Sequence, residues 1–186
     1  VRNYENLNGT VYSDSVVRRM TRIETYTQFN YPIHEILTIV PGKIKTFNSY
    51  VHHYGYIYKT KQEHYKHSQR NLIPLLGEVE KEPYNLHHHI QIAQEYNGIN
   101  EHYKSIEISL KGIEDFNPEK TPDLYLNALM INVVECYLKV FQYENALKYA
   151  EEYWKNNFLS QLGKAKLCNL LSKIYYELRN YEKIIP

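Results

Sequence analysis

Two histidines and three tyrosines surround one glycine in the stretch YVHHYGY, which begins at Tyr50. Imidazole groups exchange protons near neutral pH and bind metal ions, so these are the residue types of a chemical site. Strand alternation puts Val51 and His53 on one face and Tyr50 and His52 on the other, so only one histidine points toward the core side. Gly55 lets the backbone turn or approach a ligand. A ligand role for His53 and structural burial with one hydrogen bond both stay open.

Three consecutive histidines, His87-His88-His89, form a second histidine-rich stretch. They lie in a segment with helical periodicity, where adjacent side chains point in different directions. Three neighbours on a helix cannot converge on one ion. We therefore expect solvent contact or packing for these histidines instead of a metal site.

The elements that must position these residues change in character along the chain. β-branched and aromatic residues dominate Arg22–Phe29 and Lys43–His53, which predicts strands there. Pro41-Gly42 separates the second strand from a short apolar segment, Glu35–Val40, which we interpret as helical. From about Glu63 onward glycine and proline become rare and apolar residues recur at helical spacing. The rest of the chain is predicted to be all helix.

A domain border is predicted where the two patterns meet, near the polar stretch Lys59–Gln69. Residues 1–62 would form one unit and residues 63–186 a second, helical unit. Pro74 lies inside the first helical pattern and should kink that helix or mark its true start, because proline removes a backbone donor. We expect a mainly α protein with a small β-containing unit at its beginning.

The helical half contains a repeat centred on Tyr96, Tyr137 and Tyr175. A mostly small residue stands three positions before each tyrosine, and a histidine or tyrosine stands six positions after it. Nine positions after the tyrosines stand Ser105, Ala146 and Ile184. Small residues one turn from aromatic ones let antiparallel helices pack closely. The pattern resembles tetratricopeptide repeats, although the tyrosines are 41 and 38 residues apart against a family period of about 34.

We interpret the repeated tyrosines as packing residues between helices, since such stripes are usually core, instead of as ligand contacts. A helical solenoid offers a concave face to a peptide or a partner subunit. One functional hypothesis is therefore a non-catalytic helical-repeat module for protein interaction.

Several motifs precede the repeats in a defined order. They are VVRRM from Val16, RIETYTQF from Arg22, IHE from Ile33, HYGY from His53 and RNLIPLL from Arg70. This succession resembles the last part of the catalytic domain of bacterial family 2 glycosyltransferases that carry a C-terminal repeat domain. In that group an arginine-rich segment and an aromatic strand lead to IHE, a strand ends in H-x-G-Y, and a leucine helix opens the helical tail. Tyr31-Pro32 stands where the group has a glycine before IHE.

The resemblance implies a GT-A fold, of which the first predicted unit would be the C-terminal part, and inverting transfer from a nucleotide-sugar donor. Such transfer needs a general base for the acceptor and a Mg²⁺ or Mn²⁺ ion at the departing diphosphate. On this resemblance Glu35 is the candidate base and His53 the candidate metal ligand. His34 is a candidate contact for acceptor or diphosphate, and Arg19 and Tyr56 are candidate donor contacts.

Structural alternatives stand beside these roles. Acidic residues such as Glu35 are common in the first turn of a helix. Scattered arginines such as Arg19, Arg22 and Arg70 more often form surface ion pairs than phosphate contacts. The family carries its nucleotide-binding half and an Asp-x-Asp metal motif before these segments, and no D-x-D occurs in this sequence. We therefore expect these 186 residues alone to be catalytically inactive.

Charge and cysteine content exclude some partners. Lys plus Arg number 22 and Asp plus Glu 21, for a net charge of +1, so no surface for nucleic acid or an anionic membrane is predicted. Cys136 and Cys168 have no metal-ligand or CxxC spacing, so we expect buried thiols in a reducing, cytoplasmic compartment. No apolar run approaches the length of about 18 residues that a membrane span needs.

The ends of the sequence suggest a larger protein. The chain begins with Val1, and residues 181–186 have the pattern of a new amphipathic helix. We expect a piece of a longer protein, whose helical domain positions the acceptor or forms a homodimer. The acceptor, whether glycan, lipid or peptide, and the donor sugar stay open.

Overall fold

The structure is a computed structural model, and it is mainly helical, as the sequence predicts. It describes residues 60–184 together with residues 2–4, 12–14, 28–31, 36–38 and 52–53. The chain divides into two compact units, Val1–His67 and Ser68–Pro186.

The first unit contains short strands. β1 (Arg2–Tyr4) pairs antiparallel with β2 (Tyr12–Asp14) and parallel with β5 (His52–His53), which gives the sheet order β2-β1-β5. A separate antiparallel pair consists of β3 (Gln28–Asn30) and β4 (Ile36–Thr38). Gln28 and Phe29, at the end of the first predicted strand, lie in β3, and His52 and His53, at the end of the second, lie in β5. The other residues of the two predicted strands lie outside the described part of the chain.

The helical interpretation of Glu35–Val40 is wrong at β4. Ile36, Leu37 and Thr38 form a strand whose Cα partners are Asn30, Phe29 and Gln28. Two of these three residues are β-branched, and β-branched side chains lose little freedom in a pleated strand. A short apolar run cannot be assigned from its period alone, and here the pairing with β3 decides.

The described chain is helical from Lys61 onward. Its helices are α1 (Lys61–Lys81), α2 (Leu86–Gly98), α3 (His102–Glu114), α4 (Asp123–Lys139), α5 (Tyr143–Trp154) and α6 (Gln161–Glu177), followed by a 3₁₀ turn at Tyr181–Lys183. No helix among these described residues is long and apolar enough to cross a membrane.

Helix α1 begins well before Pro74, so this proline does not mark its start. The Glu63 backbone N–H donates to Thr60 Oγ1 at 3.1 Å. This side-chain cap satisfies one of the free donors of the first turn, and T-x-x-E is a capping signature. Pro74 lies inside the helix, where it leaves the carbonyl of Arg70 without its helical donor.

Helices α2 to α6 pack in series. Each contacts the next, and α4 also contacts α2 and α6. The connections at residues 99–101 and 140–142 are short, so the helices they join run in opposite directions. α4 is apolar almost all round, as expected for a central helix, and Leu129, Val133 and Val134 on it are fully buried.

The three repeated tyrosines share one turn geometry. Each is followed, four residues later, by a residue with positive φ: Asn100 at 62°, Phe141 at 60° and Arg179 at 57°. The next backbone N–H donates back to the tyrosine carbonyl, in the pairs Glu101 to Tyr96 at 2.9 Å, Gln142 to Tyr137 at 2.9 Å and Asn180 to Tyr175 at 2.8 Å. With the companion bonds Asn100 to Asn97, Phe141 to Leu138 and Arg179 to Tyr176, this is the Schellman helix ending. The sequence repeat is therefore a repeat of helix endings.

Candidate functional site

The predicted site residues lie mostly outside the described part of the chain. Those residues are Arg19, His34, Glu35 and Tyr56. His53 lies in β5 and is the Cα partner of Asn3 in β1, and its side chain is also outside the description. The side chain of its neighbour His52 is exposed.

The IHE motif belongs to the connection between β3 and β4. Tyr31, the first residue after β3, has a φ of 71°. Residues other than glycine seldom adopt this left-handed region of φ, because their Cβ atom comes too close to the following carbonyl oxygen. Tyr31 therefore adopts a backbone conformation that glycine favours, at the start of the connection between β3 and β4.

The three consecutive histidines contact different neighbours. The His87 ring lies 5.4 Å from the Tyr125 ring, centroid to centroid. His88 Nε2 is 3.1 Å from Asn85 Nδ2, whereas His89 Nε2 is 3.9 Å from Asp115 Oδ2. His88 and His89 are buried, so both pack inside the helical unit. Among the described residues, no group of three His, Cys, Asp or Glu side chains is arranged to hold a metal ion.

A partly buried polar network joins α2, α3 and α4. Asn132 accepts from Asn97 Nδ2 at 2.7 Å and donates to Ser105 Oγ and Ser109 Oγ at 2.9 Å each. Ser105 Oγ in turn donates to the carbonyl of Ala93 at 3.0 Å. Both amide donors of Asn132 are used, and such satisfied networks fix neighbouring elements in one arrangement. The network therefore has a structural role.

The two cysteines have opposite environments. Cys136 lies beside this network, with Sγ 3.1 Å from Asn97 Oδ1, and burial raises the pKa of its thiol. A buried, protonated thiol is unreactive. Cys168 is exposed, so the expectation of a buried thiol is wrong there: the buried face of α6 is formed by Gly163, Leu167, Leu170 and Ile174.

A shallow depression of about 640 Å³ lies along the surface of α5. It is lined by Glu144, Leu147, Lys148, Glu151, Glu152 and Lys155. Acidic and basic groups four residues apart, such as Glu144 and Lys148, are the ordinary pattern of a solvated helix face. The depression brings together no set of groups that would do chemistry.

Exposed aromatic side chains lie at or beside three turns of the helix series. We call Tyr103, Phe141, Tyr143, Tyr176 and Tyr181 the aromatic edge. They lie at the α2–α3 and α4–α5 turns and at the turn after α6. Four of them are 54–76 % exposed, and Tyr143 is half-buried. Sequence reasoning assigned Tyr143 and Tyr181 to packing and did not single out the other three.

Contacts across the turns link the members of the aromatic edge. Gln142 Nε2 donates to Tyr103 Oη at 2.9 Å. The Phe141 and Tyr143 rings lie 6.4 Å apart, and the Tyr176 and Tyr181 rings 5.9 Å apart. Partial burial, and then the nearby Glu177 carboxylate, raise the pKa of Tyr143. The edge thus runs continuously from α3 to the turn after α6.

Two comparisons with known proteins were negative. No protein-family model matches the chain, and no curated protein matches its sequence.

Proposed function

We propose that this chain is part of an inverting glycosyltransferase that moves a sugar from a nucleotide-sugar donor to an acceptor. The observation that supports the proposal is the φ of 71° at Tyr31, two residues before the IHE motif. The resemblance predicts a glycine before IHE, where Tyr31-Pro32 stands, and a left-handed backbone kept at a tyrosine despite its steric cost is typical of a functional loop. The chain would supply the C-terminal part of the catalytic domain and a tetratricopeptide-like helical tail.

The proposed chemistry assigns one role to each predicted residue. The acceptor oxygen, or another nucleophile, attacks the anomeric carbon while the bond to the diphosphate breaks, and the electron pair leaves with the diphosphate. Glu35 takes the proton of the acceptor. His34 contacts the acceptor or the diphosphate, and Arg19 and Tyr56 hold the donor. A Mg²⁺ or Mn²⁺ ion, with His53 among its ligands, would neutralise the charge that grows on the leaving group.

Helix α1 contains the last motif of the resemblance, RNLIPLL. In the second unit, Asn71 Nδ2 donates to Glu95 Oε1 of α2 at 2.6 Å, and Leu72 and Leu75 are buried. The motif that opens the helical tail in the family thus joins α1 to the helix series, and the tail would position the acceptor.

Donor hydrolysis by the complete gene product tests the proposal. With UDP- or GDP-sugars and Mn²⁺, we expect turnover that Glu35→Gln lowers by about 10²- to 10⁴-fold, the usual contribution of a general base. His53→Ala should raise the Mn²⁺ concentration needed for half-maximal turnover. His52→Ala is the matched control, because His52 is the exposed neighbour in the same strand, and it should leave turnover unchanged.

Two outcomes would count against the proposal. Turnover that is insensitive to Glu35→Gln would remove Glu35 from the mechanism. Absence of turnover with every donor would favour the second candidate, a non-catalytic helical-repeat interaction module. The specific observation behind that candidate is the threefold repeat of the same helix ending, since repeat architectures expose extended surfaces to partners.

A further inference from the structure

The outward face of α6 corresponds to a face that α4 buries. On α4 this face comprises the positions ten, six and three residues before the repeated tyrosine and one residue after it: Asn127, Ile131, Val134 and Leu138. The first three are buried, and Asn127 bonds to the segment that leads into α6. On α6 the same positions hold Ala165, Asn169, Ser172 and Tyr176. Three of these are exposed and Ser172 is half-buried, so within residues 60–184 this helix-packing face has no helix on it.

The side chains of this face have the spacing of a helix pair. They alternate at three and four residues along α6, which is the heptad spacing of two paired helices. We call them the α6 seam: Leu162, Ala165, Asn169, Ser172 and Tyr176. Leu162 and Tyr176 are both 62 % exposed, and the residues between them are small or polar. The small side chains in the middle of the seam let a second helix approach closely.

A second copy of α6 matches the seam when it runs antiparallel to the first. With the twofold axis between residues 170 and 171, Tyr176 of each copy faces Ala165 of the other, so a large ring meets a small side chain. Asn169 faces Ser172, whose hydroxyl donates to the Cys168 carbonyl at 3.1 Å and keeps its lone pairs for the Asn169 amide. A parallel pair would instead set Tyr176 against Tyr176 and Ala165 against Ala165, which packs unevenly. We propose that the α6 seam joins two copies of the chain in an antiparallel, twofold-symmetric dimer.

The charges beside the seam are compatible with this pairing. Lys166, Lys173 and Glu177 are exposed along one border of the seam. In the antiparallel pair, Lys166 lies about 3 Å along the helix axis from both Glu177 and Lys173 of the second copy. One attraction then offsets one repulsion, and both are weak because the groups are exposed to water. Side-chain size and polarity along the seam, more than charge, therefore favour a second copy.

Sedimentation equilibrium of the 186-residue chain tests the dimer. We expect a dissociation constant on the order of 10–100 μM, because a single helix pair lies at the lower limit of specific interfaces in size. Ala165→Lys places an ammonium group against Tyr176 of the second copy and should weaken association by about tenfold or more. Ala128→Lys is the matched control, because Ala128 is an exposed alanine on α4 outside the seam, and it should leave the dissociation constant unchanged.

Charge reversal at Lys173 tests the direction of the pair. Lys173→Glu brings a carboxylate next to Lys166 of the second copy and should tighten the antiparallel dimer about three- to tenfold. In a parallel pair these two side chains would be about 10 Å apart along the axis, and no tightening is expected. A bismaleimide linker should also join two copies at Cys168, which is exposed beside the seam, whereas Cys136 is buried.

Several outcomes would overturn the proposal. A chain that stays monomeric up to about 1 mM, or one whose association Ala165→Lys does not weaken, has no dimer at this seam. Weaker or unchanged association in Lys173→Glu would refute the antiparallel direction. A complete gene product that is monomeric and protects Cys168 from maleimide would show that its own chain covers the seam. Because sedimentation contains no donor and no metal, loss of the dimer would leave the transferase proposal standing, and absence of turnover would leave the dimer standing.

Discussion

His89 shows how one buried side chain makes stability depend on pH. Its ring is fully buried. Burial lowers its pKa, the backbone of Asn85 and then the Asp115 carboxylate oppose the shift, and Lys111 and His88 lower the pKa further. Below a pH of about 6.5 the unfolded chain binds a proton at this residue that the folded chain binds only at lower pH. The free energy of unfolding therefore falls as the pH falls.

Urea denaturation between pH 7 and pH 5 measures this effect. The contribution of a single proton is at most about 1.4 kcal/mol per pH unit. We expect His89→Leu to reduce the loss of stability on acidification relative to the wild type. An unchanged dependence on pH would show that other groups cause the acid sensitivity. His87→Leu is the control, because His87 is only partly buried.

At the scale of elements, Gly112 sets the distance between helices. A Cβ at this position of α3 would lie 2.7 Å from Leu129 Cδ1 on α4 and 2.9 Å from His89 Cγ on α2. Contacts this short force neighbouring side chains or helices to move. We expect Gly112→Ala to lower the free energy of unfolding by about 1–3 kcal/mol.

Gly77 provides the matched control for this substitution. It also lies inside a helix, α1, but a Cβ there would meet nothing within 4 Å. Alanine is the better helix former, so Gly77→Ala should stabilise the protein by up to about 1 kcal/mol. Equal effects of the two substitutions in denaturant unfolding would show that helix propensity, and not close packing, determines both.

Asn127 fixes the connection between α5 and α6 to α4. Its Nδ2 donates to the carbonyl of Phe158 at 2.8 Å, and its Oδ1 accepts from the backbone N–H and the hydroxyl of Ser160 at 2.8 and 2.7 Å. Asn127→Ala leaves these groups without a partner, which should cost about 1–3 kcal/mol of unfolding free energy. Ser172→Ala, which removes a bond to the carbonyl of Cys168 within one helix, should cost much less. Similar losses of unfolding free energy in the two variants would show that the bonds of Asn127 do not hold this connection in place.

Elements differ in how much of them the sequence could predict. The helical half was predictable because its apolar spacing is long and regular, and the repeated tyrosines mark real helix endings. The strand at Ile36–Thr38 was not predictable, because three apolar or β-branched residues fit the period of a helix as well as that of a strand. Only the pairing with β3 shows that these residues form a strand. Cys168 is exposed because other residues of α6 form its buried face. The position of one cysteine in the sequence does not show which face of the helix is buried.

The candidate sites were predictable in different ways. The order of the motifs predicts the residues of the proposed transfer reaction, and among these residues the structure describes only the backbone of His53, in β5. The aromatic edge could not be predicted, because its five members are spread from residue 103 to residue 181 and only the packing of alternate turns makes them neighbours. The phenylalanine at a position that elsewhere holds asparagine or arginine was the one available signal.

At the scale of the whole molecule, the helical unit is built from neighbour contacts along a series. Helix α4 contacts α2, α3, α5 and α6, so it links all members of the series. In such arrays stability is approximately a sum of local terms between neighbours. The substitutions at Gly112, near α2, and at Asn127, near α6, act at different interfaces of α4, and their effects should be close to additive.

The shared helix ending determines which side-chain changes the three turns can accept. In all three turns the hydrogen bonds that hold the backbone come from main-chain groups, so the side chain at the left-handed position does not determine the path of the chain. The three turns present an amide, a phenyl ring and a guanidinium there, at Asn100, Phe141 and Arg179. A change to asparagine or glycine at any of these positions therefore replaces the exposed chemical group and leaves the main-chain hydrogen bonds of that helix ending in place.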